Sequence, residues 1–411
     1  MAMITKNNIV GKPLAWILTL VYFASYVTRI NLAAIIQEIV TDTGYEKTSL
    51  SLILVVLSIT YGTGQIVNGW IGDKIKPQNL ILTGLVIATS VNLIFPFAYR
   101  SIPLMTVLWG INGFAQAMMW PPMVKILVAS CDDAMYGYSV IRISWGSSFG
   151  TIFVYLSAPL IIQLGGWRPV FWASALIGGG ATAIWLLLKN RIGAESVSAS
   201  QESSDSKEAP RLRIPHETIL PLIFIAFAII FQGMLRDGVS SWMPSYLAET
   251  FHLDNSKSIL LTVSLAVFSI VIFAVSGWMY RKFFKNEVAC GAVIFSTAIL
   301  AALVLYLFFD KGGVILSVAM MMIITGCMHG VNLMLITHVP KRFKRYGNIS
   351  TISGAVNACT YVGSAIFTYG VAALSSNIGW RNTVGVWGLT ALGGTLCCLI
   401  AMTSWKRFFT K

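Results

Sequence analysis

Charged residues are scarce in this chain. Asp, Glu, Lys and Arg make up 11% of the 411 residues, whereas hydrophobic residues make up 56%, and the mean hydropathy is +0.74. A water-soluble domain needs far more polar surface to face solvent, so the composition excludes a soluble enzyme or a soluble nucleic-acid-binding protein. The chain is therefore predicted to be an all-α integral membrane protein.

Motifs for covalent chemistry are also missing. The six cysteines lie in or beside apolar runs without paired external spacing, which indicates packing residues and neither disulfides nor metal ligands. No Gly-x-x-x-x-Gly-Lys-Ser/Thr loop occurs, and no nucleophile–base pair or metal cluster stands out. We therefore expect no enzyme activity, no ATP hydrolysis, no cofactor and no metal. The amino terminus lacks a short apolar core followed by a cleavage site, so the first apolar run is expected to stay in the protein.

Twelve long apolar runs are present instead, and a membrane-spanning helix needs about 20 such residues. The first six cover residues 13–40, 51–71, 80–98, 103–129, 134–162 and 169–188. The last six cover residues 218–249, 258–280, 288–309, 314–339, 347–374 and 383–404. A stretch rich in Ser, Glu and Lys at 189–217 is predicted to be a disordered linker between halves at 1–188 and 218–411.

Basic residues are distributed unevenly between the two sides of these spans. Most of the 29 lysines and arginines lie in the loops on one side, and the net charge is +13. Cytoplasmic loops of membrane proteins carry such an excess. Both termini and the linker are therefore predicted to be cytoplasmic, and the positive charge does not indicate a nucleic-acid partner.

Two short motifs occur once in each half. Residues 69–74, Gly-Trp-Ile-Gly-Asp-Lys, close the second span, and residues 277–282, Gly-Trp-Met-Tyr-Arg-Lys, close the eighth. Gly-Trp-Arg precedes the sixth span at 166–168 and the twelfth at 379–381. The pattern is typical of two six-helix halves related by a parallel repeat, as in major-facilitator transporters, which bind substrate midway between the halves.

Arg29 and Arg236 lie near the middle of the first span of their respective halves. An arginine at the centre of the bilayer costs roughly 2.5–3.5 kcal/mol on insertion scales, so each needs a reason to be there. Tyr22 and Tyr26 share the helix face of Arg29, which is expected to line a cavity.

The carboxylates available to pair with these arginines are few. Apart from Glu249, the last residue of the seventh run, the predicted spans contain only Glu38, near an external helix end, and Asp237. Asp237 is displaced from Arg236 by about 100° around the helix, so the two are not expected to meet on the cavity side. The expected counter-ion is therefore a substrate oxyanion held bidentately, with structural pairing as the alternative.

Four motifs in order resemble the organophosphate:phosphate antiporter family of major-facilitator transporters, which includes glycerol-3-phosphate and hexose-phosphate carriers. They are Tyr-Val-Thr-Arg-Ile-Asn at 26–31, Gly69…Asp73-Lys74…Pro77, Trp120-Pro121-Pro122, and Leu-Arg-Asp-Gly…Trp-Met-Pro-Ser-Tyr at 235–246. The resemblance implies a bacterial inner-membrane carrier, monomeric among membrane lipids, that exchanges a phosphate ester for inorganic phosphate. It also implies that Arg29 and Arg236 grip the phosphate beside Tyr22 and Tyr26.

Two positions depart from that family. Gln65 and Trp145 stand where the glycerol-phosphate carrier has a lysine and a histidine. The loss of both cations leaves a sulfonate or carboxylate as alternative substrates. A transporter-like membrane sensor of phosphorylated sugars is a further alternative, although the short linker and tail favour transport.

The remaining candidate residues have two interpretations each. Gly69, Asp73 and Lys74 form either a cytoplasmic gate or an ordinary charged turn. Trp120, placed in the substrate site, begins a Pro-Pro element that is either a functional bend or a passive kink.

Three further polar side chains lie inside spans. Arg142 either contacts a substrate tail, compensating for the missing cations, or pairs with a loop or linker acid. Tyr361 and His329 are weaker candidates for the cavity, because most such side chains bond a neighbouring helix.

Overall fold

The computed structural model describes residues 8–45, 47–192, 216–253, 255–309, 311–346 and 348–410. Within these ranges the chain is almost entirely helical, and its one β-bridge joins Ile9 to Ile192. Most of the predicted linker, at residues 193–215, lies outside the described residues. The all-α prediction is confirmed.

Seven helices precede the linker. They are α1 (Lys12–Thr43), α2 (Lys47–Lys74), α3 (Pro77–Ile94), α4 (Ile102–Gln116), α5 (Trp120–Ser130), α6 (Asp133–Gly165) and α7 (Arg168–Leu188). The predicted fourth span, 103–129, is divided between α4 and α5. The division follows from Pro121 and Pro122, because proline is accommodated in the first turn of a helix but disrupts an interior.

Five long helices follow the linker. They are α8 (Ile219–Phe251), α9 (Asn255–Phe283), α10 (Glu287–Leu307), α11 (Gly313–Asn332) and α12 (Ile349–Thr410). A π-helical turn, Leu333–His338, extends α11. Gly379, with φ 77°, interrupts α12 between the predicted eleventh and twelfth spans, and glycine takes this left-handed conformation without strain.

Eleven helical stretches among the described residues are long and apolar enough to cross a membrane. The first part of α12, predicted as a span at 347–374, is helical but is not one of the eleven. This part is rich in Ser, Thr, Gly and Asn, which lowers its hydropathy. Small residues of this kind suit close helix packing within a membrane protein.

The chain divides into two compact units. One comprises Met1–Arg213 with Pro340–Ala355, and the other comprises Ile214–Val339 with Val356–Lys411. The segment Pro340–Ala355, which includes the start of α12, therefore belongs by its contacts to the first unit although it lies far along the chain.

Within each unit, the helix that carries the central arginine crosses another helix closely at glycines. In the first unit, a Cβ on Gly146 of α6 would lie 2.6 Å from the carbonyl oxygen of Thr19 in α1. In the second unit, a Cβ on Gly363 of α12 would collide with the carbonyl oxygen of Ile230 in α8. Only a residue without a side chain permits such backbone approach, so these crossings hold α1 and α8 in place.

The duplicated Gly-Trp-Arg motif makes the same contact in both units. The Trp167 indole nitrogen donates to Asp42 Oδ2 at 2.8 Å, and the Trp380 indole nitrogen donates to Glu249 Oε2 at 2.7 Å. Asp42 lies in the last turn of α1 and Glu249 in the last turn of α8. Each half therefore ties the end of its arginine-bearing helix to the motif through a tryptophan–carboxylate hydrogen bond, which we call the tryptophan latch.

Candidate functional site

Arg29 lies among tyrosine rings on α1 and α2. Its guanidinium carbon is 4.1 Å from the ring centroid of Tyr26 and 4.9 Å from that of Tyr61. Cation–π contacts of this kind contribute about 0.5–2 kcal/mol each. Tyr61, which is 2% exposed, was not among the residues predicted from the sequence. Its position one helical turn before Gln65 is the signal that would have identified it.

The aromatic frame extends from Arg29 along α1 to α5. The Tyr22 and Tyr26 ring centroids are 5.1 Å apart, and those of Tyr22 and Trp120 are 5.4 Å apart. The structure thus brings together four predicted residues, Tyr22, Tyr26, Arg29 and Trp120, within the first unit. The helix break before Trp120 positions its ring, because α5 begins at that residue.

A buried polar network anchors α1 on the face next to Arg29. The Thr28 carbonyl accepts from Asn92 Nδ2 at 2.8 Å and from Asn112 Nδ2 at 3.0 Å, and the Thr28 hydroxyl accepts from Gln116 Nε2 at 2.9 Å. Each amide is fully buried. Such bonds tie α1 to α3 and α4 at the residue before Arg29 and fix its rotation about its axis. The sequence prediction omitted these amides, whose only signal is their isolation in apolar spans.

Gln65 is fully buried on α2, four residues after Tyr61. Neither its Oε1 nor its Nε2 has a hydrogen-bond partner among the described residues. A buried amide left without partners costs about 1–3 kcal/mol per group, so both atoms are available to a water molecule or a ligand.

Arg142 and Trp145 form a separate cluster on α6. The guanidinium carbon of Arg142 is 4.0 Å from the Trp145 ring, 4.9 Å from the Tyr138 ring and 5.7 Å from the Trp16 ring. No ion pair of Arg142 with a carboxylate occurs in the ranges that the structure describes. The sequence left two interpretations of Arg142, contact with a substrate or pairing with an acid. Within these ranges the structure shows no such pairing.

Arg236 is paired with a carboxylate of its own helix. Arg236 Nε lies 2.6 Å from Asp237 Oδ1, and Arg236 Nη2 lies 2.8 Å from Asp237 Oδ2, which is a bidentate ion pair. Of the two counter-ions that the sequence left open for Arg236, a substrate oxyanion or a carboxylate of the protein, the structure shows the carboxylate of Asp237. The two Cα–Cβ bonds diverge around the helix, but the long, flexible arginine side chain turns back to its neighbour.

Two weaker candidates in the second unit lie near this pair. The Arg236 guanidinium carbon is 5.9 Å from the Tyr361 ring centroid. His329 packs edge-on against Phe273 at 5.3 Å, within electrostatic range of Arg236 and Asp237. The structure therefore groups Arg236, Asp237, Tyr361 and His329 in one region of the second unit.

Asp73 binds the start of α12. Its carboxylate accepts from the Ser350 backbone nitrogen at 3.0 Å, from the Thr351 backbone nitrogen at 2.7 Å and from the Thr351 hydroxyl at 2.6 Å. The first backbone N–H groups of a helix have no intrahelical partner, and a negative charge there interacts favourably with the helix dipole. Gly69 permits this approach, because a Cβ on it would lie 2.8 Å from the Ser350 carbonyl oxygen.

Lys74 is not part of this contact. Its ammonium lies 3.4 Å from the ring centroid of Trp70 in its own helix, and its side chain is exposed. Lys125 instead binds the end of α2, since its ammonium donates to the carbonyl oxygens of Gly72 at 2.7 Å and Asp73 at 3.3 Å. Sequence reasoning counted Lys125 only as a cytoplasmic charge.

Comparison with known proteins extends these observations. The family model described as Major Facilitator Superfamily matches residues 18–368. The glycerol-3-phosphate transporter of Bacillus subtilis (strain 168) is 25% identical over 373 residues, covering 84% of this chain and 82% of its own. The probable hexose phosphate transport protein of Chlamydia muridarum (strain MoPn / Nigg) is 24% identical over 392 residues, covering 88% and 84% respectively.

The fold is also similar to that of a solved transporter. The proton:xylose symporter XylE, bound to 6-bromo-6-deoxy-D-glucose, superposes with a TM-score of 0.74 at 12% identity, covering 93% of this chain and 94% of that one. The predicted resemblance to the organophosphate:phosphate antiporter family is confirmed by the named relatives. The protein is therefore a multi-pass membrane protein that belongs to the Major Facilitator Superfamily.

Proposed function

We propose that this protein is a secondary transporter that carries a small phosphate ester, such as a sugar phosphate or glycerol phosphate, across a bacterial inner membrane in exchange for inorganic phosphate. The observation that carries the proposal is the central Arg29 with its tyrosine frame. Ring faces orient this guanidinium, and a guanidinium is the group whose planar fork matches an oxyanion bidentately. The relatives named as phosphate-ester carriers support the same substrate class.

Arg29 and Arg236 each bind the phosphate in this proposal, but in different ways. Arg29 is oriented by rings, whereas Arg236 already has a carboxylate partner in Asp237. A phosphate that binds Arg236 therefore either contacts the guanidinium together with Asp237 or displaces Asp237 from it. Asp237 balances the charge of Arg236 within the second unit, so the positive charge that an anionic substrate offsets in this proposal is that of Arg29.

Exchange follows from the charge of the carrier. Closing a net positive charge away from water costs several kcal/mol, and a bound anion removes much of that penalty. The loaded carrier therefore reorients faster than the empty one, and either anion serves in either direction.

Asp73 acts as part of a cytoplasmic gate in this proposal, because it holds the start of α12 while the cytoplasmic side of the carrier is closed. The protein functions as a monomer in the lipid bilayer with its termini in the cytoplasm.

Gln65 favours a second candidate substrate. A neutral amide, fully buried with both polar atoms lacking partners in the described residues, offers two N–H donors and a carbonyl acceptor but no charge. A sulfonate carries a single negative charge and needs less cationic compensation than a phosphate dianion. An organic sulfonate is therefore the alternative cargo.

The test is exchange in liposomes that contain only this protein. Entry of labelled glycerol 3-phosphate or glucose 6-phosphate is measured into vesicles preloaded with phosphate and into empty vesicles, without a proton gradient. We expect preloading to accelerate entry many-fold, and Arg29→Gln to abolish entry in both cases. Arg100→Gln, which changes an exposed arginine beside Tyr99, is the matched control and should transport normally.

Three outcomes contradict the proposal. Equal entry into loaded and empty vesicles would replace exchange by uniport or symport. Binding of phosphate esters without any entry would support a membrane sensor. Entry of a labelled organic sulfonate into the same vesicles, without entry of either phosphate ester, would favour the sulfonate carrier.

A further inference from the structure

Arg142 is held by aromatic rings from two helices of the first unit. Trp145 and Tyr138 lie on the same face of α6, three residues after and four residues before it, and Trp16 comes from α1. Arg142 is partly exposed, and Trp16 is 51% exposed. The rings orient the guanidinium plane without burying it.

The edge of this guanidinium carries donors that the described protein does not use. A guanidinium has five N–H donors in its plane, and ring contacts do not satisfy them. Across the described ranges, no hydrogen bond and no ion pair is formed by the Arg142 side chain. An oxyanion is the group whose geometry matches two parallel donors of this kind.

Arg168 shows what completes the same arrangement elsewhere in the chain. Its guanidinium carbon is 4.5 Å from the Tyr99 ring and 4.6 Å from the Trp167 ring, and its Nη2 lies 3.3 Å from Asp42 Oδ2. Arg168 thus combines a ring frame with a carboxylate from the protein. Arg142 has a ring frame of the same kind, but no described residue places a carboxylate beside it as Asp42 does beside Arg168.

Arg142 lies far from Arg29 along the first unit. Trp16, which contacts Arg142, precedes Arg29 by thirteen residues on α1, which corresponds to about 20 Å along the helix axis. Loop charges place the start of α1 on the cytoplasmic side. Two cations therefore lie at different depths, one near the middle of the membrane and one nearer the cytoplasm.

We propose that Arg142, framed by Trp16, Tyr138 and Trp145, is a second oxyanion-binding position on the cytoplasmic side of the first unit. It takes a phosphate-type group, supplied either by free phosphate or a phosphate ester or by the headgroup of an anionic lipid. This binding is separate from the proposed transport function and is measured without transport.

The test measures thermal unfolding of the full chain in nanodiscs. In phosphatidylcholine nanodiscs, inorganic phosphate is titrated against Arg29→Gln and against Arg29→Gln/Arg142→Gln at constant ionic strength. If the ligand is free phosphate, its stabilising shift in Tm persists in the single variant and is lost or reduced in the double variant. Arg29→Gln/Arg100→Gln is the matched control and keeps the shift.

A second arm distinguishes the lipid source. The unsubstituted protein and Arg142→Gln are compared in phosphatidylcholine nanodiscs with and without phosphatidylglycerol, in the absence of phosphate. If a headgroup is the ligand, phosphatidylglycerol raises the Tm of the unsubstituted protein and leaves that of Arg142→Gln unchanged.

The proposal is overturned if the shift in Tm caused by phosphate, and that caused by phosphatidylglycerol, are both the same with arginine and with glutamine at position 142. If Arg142→Gln fails to fold, Arg142→Lys replaces it in both arms, because lysine keeps the charge but lacks the planar fork. Lysine should weaken the response, and an undiminished response overturns bidentate binding. An Arg142-dependent shift in a protein that transports no phosphate ester would refute the proposed function alone.

Discussion

The first helix of each repeat carries one arginine near its middle, yet the two guanidiniums have different neighbours. Arg29 lies against the rings of Tyr26 and Tyr61, whereas Arg236 forms a bidentate ion pair with Asp237. The helices that carry them are otherwise held alike, by glycine crossings and by the tryptophan latch. The two halves thus hold the arginine-bearing helix in the same way but differ in the neighbours of the arginine.

This difference separates two ways to keep an arginine in a membrane. Ring contacts orient the guanidinium without supplying a negative charge, whereas a carboxylate neutralises it within the same helix. In the proposed function, the arginine of the first half attracts the anion. In the second half, an arriving anion would either displace Asp237 from Arg236 or share the guanidinium with it.

The halves also differ at the end of their second helix. Asp73 of the first half binds Ser350 and Thr351, whereas the aligned position in the second half is Arg281. A basic side chain cannot accept from helix N–H groups, so this carboxylate contact exists in one half only. The repeat therefore provides its own comparison for both the arginine and the Asp73 contact.

The largest effect is expected from Arg29→Lys. Lysine keeps the charge but loses the planar fork, and a hydrogen bond to a charged group contributes about 1.5–3 kcal/mol, so exchange should fall roughly 10- to 150-fold. Exchange by purified protein in phosphate-loaded liposomes measures this effect. Arg236→Lys should also reduce exchange strongly. Near-normal transport by either variant would show that bidentate contact at that position is not required.

Asp237→Asn tests the neutralisation of Arg236 and ranks second. The substitution leaves the Arg236 charge without its carboxylate, and breaking a buried pair costs about 3–5 kcal/mol, less here because both side chains are partly exposed to solvent. We expect reduced stability, slower entry into empty liposomes and a larger ratio of exchange to net entry. An unchanged ratio would mean that Asp237 plays no part in the return of the empty carrier.

Asp73→Asn should have an intermediate effect on conformation. Asparagine weakens a carboxylate contact that holds two backbone N–H groups and a hydroxyl, worth about 1.5–3 kcal/mol. The inward-facing population should increase, as measured by spin-label distances across the cytoplasmic helix ends. Lys76→Gln, at an exposed neighbouring lysine, is the control. Identical distances in Asp73→Asn and the control would mean that Asp73 does not influence the inward-facing population.

The smallest effects are expected at the two latches. Trp167→Phe and Trp380→Phe each keep a ring and remove one hydrogen bond, worth about 1 kcal/mol or less at a solvent-exposed carboxylate. Asp42 retains Arg168 in the first case, whereas Glu249 has no other partner among the described residues. Trp380→Phe should therefore lower Tm more. Trp172→Phe, at a tryptophan of α7 that is 40% exposed, is the control. The reverse order would mean that the latches do not act through these carboxylates.

Local sequence properties determined the membrane class, the helices and the position of the arginines. Hydropathy and length identify membrane-spanning helices because each span must be apolar along its own length. The spacing of Tyr22, Tyr26 and Arg29 on one helix face followed from helix geometry alone, and the structure places these side chains together. The duplicated motifs also indicated two halves without any knowledge of their packing.

Contacts between distant segments were decided only by the tertiary structure. Tyr61 reaches Arg29 from another helix, Thr28 is bound by amides from α3 and α4, and Asp73 binds residues 277 and 278 positions away. These partners depend on how each helix is rotated and how closely it packs, which hydropathy does not encode.

The Arg236–Asp237 pair shows the same limit between adjacent residues. Helix geometry specifies where the two Cβ atoms point, but side-chain rotamers decide where a long arginine ends. The sequence by itself therefore determined which residues enter the membrane. The tertiary structure determined which of them neutralise one another, because that depends on distances of a few ångströms between side-chain tips.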